Sequence, residues 1–129
     1  AAGYGQSADY LRTADEQICI LLQIETLRGL DNLEAIAAVP GVDGVFIGPN
    51  DLSASFGHIG NWGHPEVQVA LEDAVKRLKK VGKPAGILTP NVEEAKKFIS
   101  WGYTFVAVGA DLGLLAKNAD ALAKTFKPA

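Results

Sequence analysis

Two carboxylates that follow apolar segments carry most of the chemistry this sequence could perform. Glu25 ends the run "ICILLQIE", and Asp51 directly follows "GVFIGPN". Gln23 and Glu25 are two residues apart, so on a strand both would project from the same side. Polar side chains that end an apolar strand need a polar site to point into. Because the carboxyl ends of parallel strands meet at one edge of a sheet, where α/β proteins bind ligands, we expect Glu25 and Asp51 to lie near one another.

Two carboxylates at that edge have three interpretations. They could bind a hard divalent cation, with water and substrate oxygens as the remaining ligands. They could form an acid/base pair with separated pKa values. Each could instead cap the helix that follows it, which suits Asp51 better than Glu25 because glutamate is a poor N-cap residue. Residue types alone favour the metal site and leave the other two open.

The other polar and aromatic candidates give weaker signals. His58 and His64 flank a glycine-containing loop that could border a site. His64 precedes Pro65 and is expected to cap or pack at the start of a helix, whereas no partner is evident for His58. Trp62 and Trp101 are interpreted as packing residues. The sequence contains no nucleophile-elbow, dinucleotide-binding or P-loop motif.

The composition is typical of one soluble globular domain. The chain has 129 residues, of which 48% are hydrophobic and 21% charged, enough for a sizeable core. A net charge of −3 without a Lys/Arg cluster gives no reason to expect nucleic acid as a partner. No apolar run reaches the roughly 18 residues that cross a bilayer, so no membrane partner is expected. The single cysteine, Cys19, excludes an internal disulfide and is expected to be a buried apolar residue in a cytoplasmic protein.

Four short apolar runs predict the strands that would position these side chains: residues 18–24, 44–48, 85–89 and 104–109. Each is almost continuously apolar, which is typical of parallel strands covered on both faces. Helical patterns lie between and after them, and one opens with Asn91 and Glu94 at capping-box spacing. The alternation predicts an α/β fold in which residues 1–17 form a lead-in helix and residues 18–129 form four βα units.

Four βα units are half of an eight-stranded barrel, which needs about 250 residues. A complete flavodoxin-like binding domain would need a fifth parallel strand. The sequence shows no candidate for that strand, so the half-barrel is the preferred interpretation.

The segments "QIET", "GVDGVFIGPNDLSASFGHIGN", "HPEVQ", "GKPAGIL" and "FVAVGADLGLL" resemble the HpcH/HpaI aldolase family. These are metal-dependent class II pyruvate aldolases that include 4-hydroxy-2-oxoheptanedioate aldolase and 5-keto-4-deoxy-D-glucarate aldolase. Among them, the segments resemble the sugar-acid aldolases most. The similarity extends through essentially all 129 residues. It implies a TIM (β/α)8 barrel, of which this chain is similar to the C-terminal half.

The resemblance also implies roles for four residues. Glu25 and Asp51 would be the protein ligands of a divalent cation, Mg²⁺, Mn²⁺ or Co²⁺. Gln23 would contact the bound 2-oxo acid, and Asn50 and Asp51 would bind its carboxylate, chiefly through the backbone. The implied reaction is reversible cleavage of a 4-hydroxy-2-oxo acid, of sugar-acid or dicarboxylic type, to pyruvate or a related 2-oxo acid and an aldehyde. The protein would then be a carbon–carbon lyase of sugar-acid or aromatic catabolism.

In that family the catalytic histidine and arginine belong to the N-terminal half of the barrel. The resemblance therefore assigns no catalytic residue to this chain, and His58, His64 and Arg28 do not take those roles. The isolated chain is expected to be inactive. Its expected partners are a missing N-terminal half-barrel or another copy of the chain, within a homo-oligomer. The alternative is a non-catalytic half-barrel that folds or dimerises without chemistry.

Overall fold

The structure is a computed structural model that describes residues 3–127, so the outermost residues of the predicted lead-in helix and of the last βα unit lie outside the described part. The four strands are β1 (Leu21–Ile24), β2 (Gly44–Ile47), β3 (Ala85–Leu88) and β4 (Phe105–Ala107). The helices are α1 (Tyr10–Gln17), α2 (Leu27–Asp31), α3 (Leu33–Ala37), α4 (Pro49–Ser55), α5 (Pro65–Lys80), α6 (Val92–Trp101) and α7 (Asp111–Phe126), preceded by a 3₁₀ turn at Gly3–Gly5.

The strands form one parallel sheet whose order, β1-β2-β3-β4, is the order of the chain. Ile24 pairs with Ile47, and Leu88 pairs with Ala107, so the carboxyl ends of neighbouring strands are level. Helices connect each strand to the next. The predicted α/β class with four parallel βα units is confirmed, and this sequential order is that of one half of a (β/α)8 barrel.

One face of the sheet packs against the helices and forms the hydrophobic core. Alternate strand residues, among them Val45, Ile47 and Ile87, are fully buried there. They pack with the apolar stripe of α5, the stripe that helical periodicity predicts. Its buried members are Val67, Leu71, Ala74, Val75 and Leu78. The core therefore fixes the sheet against α5 and its neighbours, and leaves the strand ends to present the site.

The opposite face of the sheet is open in the described residues, so the expectation of strands covered on both faces is wrong for this chain. Leu88 is 39% exposed and Phe105 is 52% exposed. The Phe46 and Phe105 rings meet edge to face on this side, with centroids 5.8 Å apart. They approach one another over Gly86, where an added Cβ would lie 2.7 Å from a Phe46 ring carbon. The open face is thus an apolar layer with room made for its two aromatic rings.

The two ends of the chain pack little. Helix α7 has no buried residue, and Leu112, Leu115 and Leu122 are each more than 60% exposed. Cys19 is exposed rather than buried, because β1 begins at Leu21, later than the apolar run predicts.

None of the helices described combines the length and the apolar character that a membrane span requires.

Candidate active site

Glu25 follows the last residue of β1 and is held there by Gln23. The side-chain amide of Gln23 donates a hydrogen bond to the Glu25 carboxylate, with Nε2 and Oε2 2.6 Å apart. This is the pair that the two-residue spacing predicts on one side of the strand end. Thr26 then begins α2, accepting a hydrogen bond from the Gly29 backbone through its hydroxyl. Glu25 itself is therefore not the N-cap, and its carboxylate remains at the sheet edge.

Gly48 lets the end of β2 approach this carboxylate. Its backbone N–H donates to the carbonyl of Ile24, which places Gly48 beside Glu25. A Cβ on Gly48 would lie 2.9 Å from Gln23 Nε2 and 3.0 Å from Glu25 Oε2. Only a residue without a side chain fits there unless the Gln23–Glu25 pair shifts. The Gly-Pro-Asn-Asp sequence after β2 thus begins with a glycine because the side chains of Gln23 and Glu25 occupy the space that a Cβ would take.

Asp51 lies three residues beyond Gly48, in the first turn of α4. Gly48 occupies the N-cap position, so Asp51 is not the N-cap that one interpretation of the sequence expects. Its side chain is exposed and forms no hydrogen bond or ion pair within residues 3–127. Ser53 holds the turn by donating to the carbonyl of Asn50 over 2.7 Å. Asp51 is therefore an unpaired carboxylate on a short, fixed helical turn.

The same sheet edge carries a cavity of about 390 Å³. Three of the predicted site residues, Gln23, Asn50 and Asp51, line it together. Glu25 is half-buried next to it through its contact with Gln23. The full lining is Gln23, Phe46, Gly48, Pro49, Asn50, Asp51, Trp62, Leu88 and Pro90. The structure thus brings Gln23, Asn50 and Asp51 together at the expected edge, and it places Glu25 beside Gln23 but not among the lining residues.

Sequence reasoning missed Trp62 as a residue of the site. Trp62 packs partly against the core, as expected, but it also lines the cavity. Its indole N–H donates to Glu94 Oε2 at 3.2 Å, and the hydroxyl of the buried Thr89 donates to the same oxygen at 2.7 Å. Glu94 is therefore not the second half of a capping box, although Asn91 does cap α6 by accepting from the backbone of Glu93 and Glu94. The sequence signal that could have pointed to Trp62 is its position in the glycine-containing loop, which was expected to border a site.

The two histidines lie at the two ends of that loop. His64 is the N-cap of α5 and accepts from the Glu66 backbone, as expected. His58, for which the sequence suggests no partner, bonds to Glu66 Oε2 at 2.9 Å and stacks on His64 with ring centroids 3.5 Å apart. Neither histidine is among the residues that line the cavity.

The electrostatic character of the site is anionic. Neither Glu25 nor Asp51 forms an ion pair within residues 3–127. Two carboxylates without a cationic partner, at one edge of a parallel sheet, are a donor set that suits a hard divalent cation. None of the nine cavity-lining residues carries a positive charge.

Comparison with known proteins agrees with this architecture. A curated relative from Rhizobium etli, named pyruvate aldolase, is 59% identical over 126 residues, which are 98% of this chain and 50% of the relative. The 5-keto-4-deoxy-D-glucarate aldolase of Enterobacter sp. is 50% identical over 124 residues, 96% of this chain and 48% of that protein. The chain therefore spans about half the length of the curated relatives it matches.

The fold comparison gives the same proportion. The crystal structure of an HpcH/HpaI aldolase/citrate lyase family protein from Burkholderia cenocepacia superposes with a TM-score of 0.86 at 39% sequence identity, covering 98% of this chain and 50% of that one. The sequence profile of the family described as HpcH/HpaI aldolase/citrate lyase matches residues 4–118. With a profile match over most of its length and a four-stranded half-barrel that superposes on a family member, the chain belongs to the HpcH/HpaI aldolase/citrate lyase family.

Proposed function

We propose that this chain is the metal- and oxo-acid-binding part of a divalent-metal-dependent aldolase. The reaction would be the reversible cleavage of a 4-hydroxy-2-oxo acid to pyruvate, or a related 2-oxo acid, and an aldehyde. The observation that carries the proposal is the contact of Gln23 with Glu25 beside Gly48, at the sheet edge that also presents Asp51. The names of the relatives from Rhizobium etli and Enterobacter support an aldolase reaction that involves a 2-oxo acid.

Glu25 and Asp51 fit a cation of the Mg²⁺ or Mn²⁺ type. Both supply carboxylate oxygens, the ligand atoms that hard cations prefer, and no lysine or arginine of residues 3–127 competes for them. When bound, such a cation supplies Lewis-acid stabilisation of negative charge on substrate oxygens, worth several kcal/mol. The half-buried position of Glu25 strengthens this attraction relative to that of a fully solvated carboxylate.

The chain's own polar groups would bind and orient the oxo acid. One N–H of the Gln23 amide bonds to Glu25, which leaves the second N–H free to donate to a substrate oxygen. The backbone N–H groups of Asn50 and Asp51 lie in the first turn of α4, where a helix offers them no acceptor. They are therefore available to the carboxylate of the substrate. Together these donors would fix the substrate next to Glu25 and Asp51.

The remaining groups would come from the rest of the barrel. We propose that this chain corresponds to the C-terminal half, as the resemblance of its segments to the family implies. A general base for the substrate hydroxyl would then be supplied by the other half-barrel, which would also cover the open sheet face. The assembled enzyme would be a homo-oligomer of such barrels.

Titration of Mn²⁺, followed by calorimetry and electron paramagnetic resonance, tests the metal site. We expect Asp51→Asn and Glu25→Gln each to weaken Mn²⁺ binding by at least about tenfold, since even indirect supports of a metal site are worth 10- to 100-fold. Asp111→Asn is the matched control, because Asp111 stands in the first turn of α7 after β4 but does not line the cavity. Equal Mn²⁺ binding by the wild type and Asp51→Asn would refute the proposal and favour the non-catalytic half-barrel.

A further inference from the structure

We propose that His58, His64 and Glu66 form a second cation site, which binds a divalent transition-metal ion such as Zn²⁺. The two histidines stand at the ends of the loop between α4 and α5, and Glu66 lies in the first turn of α5. A bound ion would tie the start of this loop to the helix that follows it. The inference does not rest on the proposed aldolase function, because none of the three residues lines the cavity.

The three side chains already lie close enough to share one ion. Each offers one ligand atom, and these atoms are all within 4.8 Å of one another. His58 Nε2 and Glu66 Oε2 are 2.9 Å apart. Within residues 3–127, no other group of three His, Cys, Asp or Glu side chains brings its ligand atoms this close together.

The backbone of the loop holds the two histidines in place. The N–H of His58 donates to the carbonyl of Ser53 at 2.8 Å, and the N–H of His64 donates to the carbonyl of Asn61 at 3.1 Å. Asn61 in turn donates to the carbonyl of His58 at 2.9 Å. These turns fold the loop back on itself, so two rings that are six positions apart stack with centroids 3.5 Å apart. The fold therefore provides the proximity before an ion arrives.

The donor set selects the class of metal. Two imidazole nitrogens and one carboxylate suit Zn²⁺ and its neighbours Co²⁺, Ni²⁺ and Cu²⁺, whereas Mg²⁺ and Ca²⁺ prefer oxygen ligands alone. No lysine or arginine of residues 3–127 pairs with Glu66, whose ionic partner is His58. The side chains of His58 and Glu66 are 27% and 57% exposed. Water can therefore reach the ion and complete its coordination.

Binding requires one local rearrangement. Stacked rings with 20° between their planes direct their in-plane lone pairs nearly parallel, so these do not converge on one point. Ligand atoms around a tetrahedral Zn²⁺ with bonds of about 2.0–2.1 Å lie roughly 3.3 Å apart. Rotation of the His64 ring about χ2, a broad torsion, brings the lone pairs together. The cost is the 3.3 Å hydrogen bond that His64 Nδ1 accepts from the Glu66 N–H, a long bond.

Calorimetric titration with Zn²⁺ tests the site in a parent chain that carries Cys19→Ser, Glu25→Gln and Asp51→Asn. The first change removes an exposed thiol that could bind Zn²⁺ itself, and the other two remove the candidate site at the sheet edge. We expect one Zn²⁺ per chain. His58→Ala, His64→Asn and Glu66→Gln should each weaken Zn²⁺ binding by at least about tenfold, since even indirect supports of a metal site are worth 10- to 100-fold. Asparagine at position 64 removes the imidazole and still caps α5.

Two further measurements separate a metal site from a structural role of these side chains. The electron paramagnetic resonance spectrum of bound Cu²⁺ should show coupling to two imidazole nitrogens, and His58→Ala should lose one of them. Zn²⁺ should raise the melting temperature of the parent chain but not that of His58→Ala, because an ion that binds the folded state stabilises it. Glu72→Gln is the matched control: Glu72 also lies on α5, where it pairs with Lys76, and its loss should leave Zn²⁺ binding unchanged.

Equal Zn²⁺ affinity in the parent chain, His58→Ala and His64→Asn would overturn the inference. A Cu²⁺ spectrum without nitrogen coupling would do the same, because the ion would then be held by oxygens alone. Zn²⁺ binding by the Cys19→Ser chain that disappears in the parent chain would assign the ion to Glu25 and Asp51. That result would overturn the second site and leave the proposed function standing.

Discussion

Gln23 and Glu25 are joined by a hydrogen bond of 2.6 Å between Nε2 and Oε2, across the position where Gly48 has no side chain. The amide donor orients the carboxylate, and the glycine of the next strand end provides the space for both. A carboxylate that is oriented in advance loses less entropy when it binds a cation than one that rotates freely. Gly48 therefore supports the candidate metal site, because it leaves the space in which the Glu25 carboxylate is oriented.

Gly48→Ala should therefore weaken Mn²⁺ binding without touching a ligand. The new methyl group would lie 3.0 Å from both Cβ and Oε2 of Glu25, so the carboxylate must move. We expect a loss of about 10- to 100-fold in Mn²⁺ affinity, the range for supports of metal ligands. Gly63→Ala is the control, since its added Cβ would meet only Asn61 Oδ1, at 3.6 Å. Unchanged Mn²⁺ affinity in Gly48→Ala would show that Glu25 is not a ligand in the conformation described here.

Glu94 joins Trp62 and Thr89, and its substitution should lower stability. Glu94→Ala removes the acceptor shared by Trp62 and the buried Thr89. We expect the free energy of unfolding to fall by about 1–3 kcal/mol, the cost of a buried polar group that loses its partner. Glu94→Gln retains an acceptor oxygen and should recover most of this loss. Unchanged urea unfolding of Glu94→Ala would show that the two hydrogen bonds do not contribute to stability.

Glu34 and Arg77 join α3 to α5 and should make stability depend on pH. Hydrogen bonds from the Arg77 side chain, donated by Nε at 2.6 Å to Oε1 and by a terminal nitrogen at 2.5 Å to Oε2, lower the pKa of Glu34 from its ordinary value of 4.5 to about 2. Because the folded-state pKa is depressed, the stabilisation is fully present above about pH 5 and is lost as pH falls toward 2. Glu34 is 44% exposed, so solvent screening limits its contribution to at most about 1 kcal/mol.

Urea unfolding at pH 7 and pH 3, at one protein concentration, measures this effect. Glu34→Gln should lower the free energy of unfolding at pH 7, and the difference from the wild type should shrink at pH 3. Glu93→Gln is the control, because its pair with Lys96 is largely exposed and should contribute close to nothing. A difference that is equal at both pH values would mean that the charge of Glu34 does not contribute.

Much of this fold follows from patterns that the sequence displays locally. The apolar positions of α5 recur at helical spacing, Asn91 begins α6, and Gly102 ends it with a φ of 112° that favours glycine. Such signals depend only on neighbouring residues. The pairing of Gln23 with Glu25 was predictable for the same reason, since residues two apart on a strand share a side.

Other features depend on contacts distant in the chain and were not predictable. Trp62 and Glu94 are 32 residues apart, and only the packing of α5 against α6 brings them together. The exposure of Cys19 reflects where strand pairing begins, since Leu21 is the first residue to pair with β2. The open sheet face was also unpredictable, because an apolar run looks the same whether its second cover lies in this chain or elsewhere.

The open sheet face and the unpaired edges of the sheet both predict that the chain does not remain a stable isolated monomer. The outer edges of β1 and β4 have no partner strand within the described residues, and unpaired edges promote association. Light scattering should give a mass above that of a monomer, rising with concentration. Phe105→Ser should reduce it, whereas Val69→Ser, on an exposed position of α5, should not. A monomeric mass with a sharp cooperative melt would contradict this prediction.

The last prediction is that these 129 residues alone catalyse little or no aldol cleavage. Under the proposed function the residues at the site bind a cation and a 2-oxo acid, and Asp51, the one ionisable residue of the nine that line the cavity, serves as a metal ligand rather than as the base for the 4-hydroxyl proton. A positioned general base is worth about 10²–10⁴-fold in rate, and one electrostatic stabiliser about 10²–10³-fold. If the other half-barrel supplies both, the isolated chain should be slower than the assembled barrel by at least about 10⁴-fold. The assay is pyruvate release from a 4-hydroxy-2-oxo acid with Mg²⁺ or Mn²⁺, by the chain alone and by the chain mixed with the N-terminal half of a relative. Recovery of activity on mixing, abolished by Asp51→Asn, is the expected result. Turnover by the chain alone that matches the mixture, and that His58→Ala or His64→Ala removes, would instead place the base in the loop before α5.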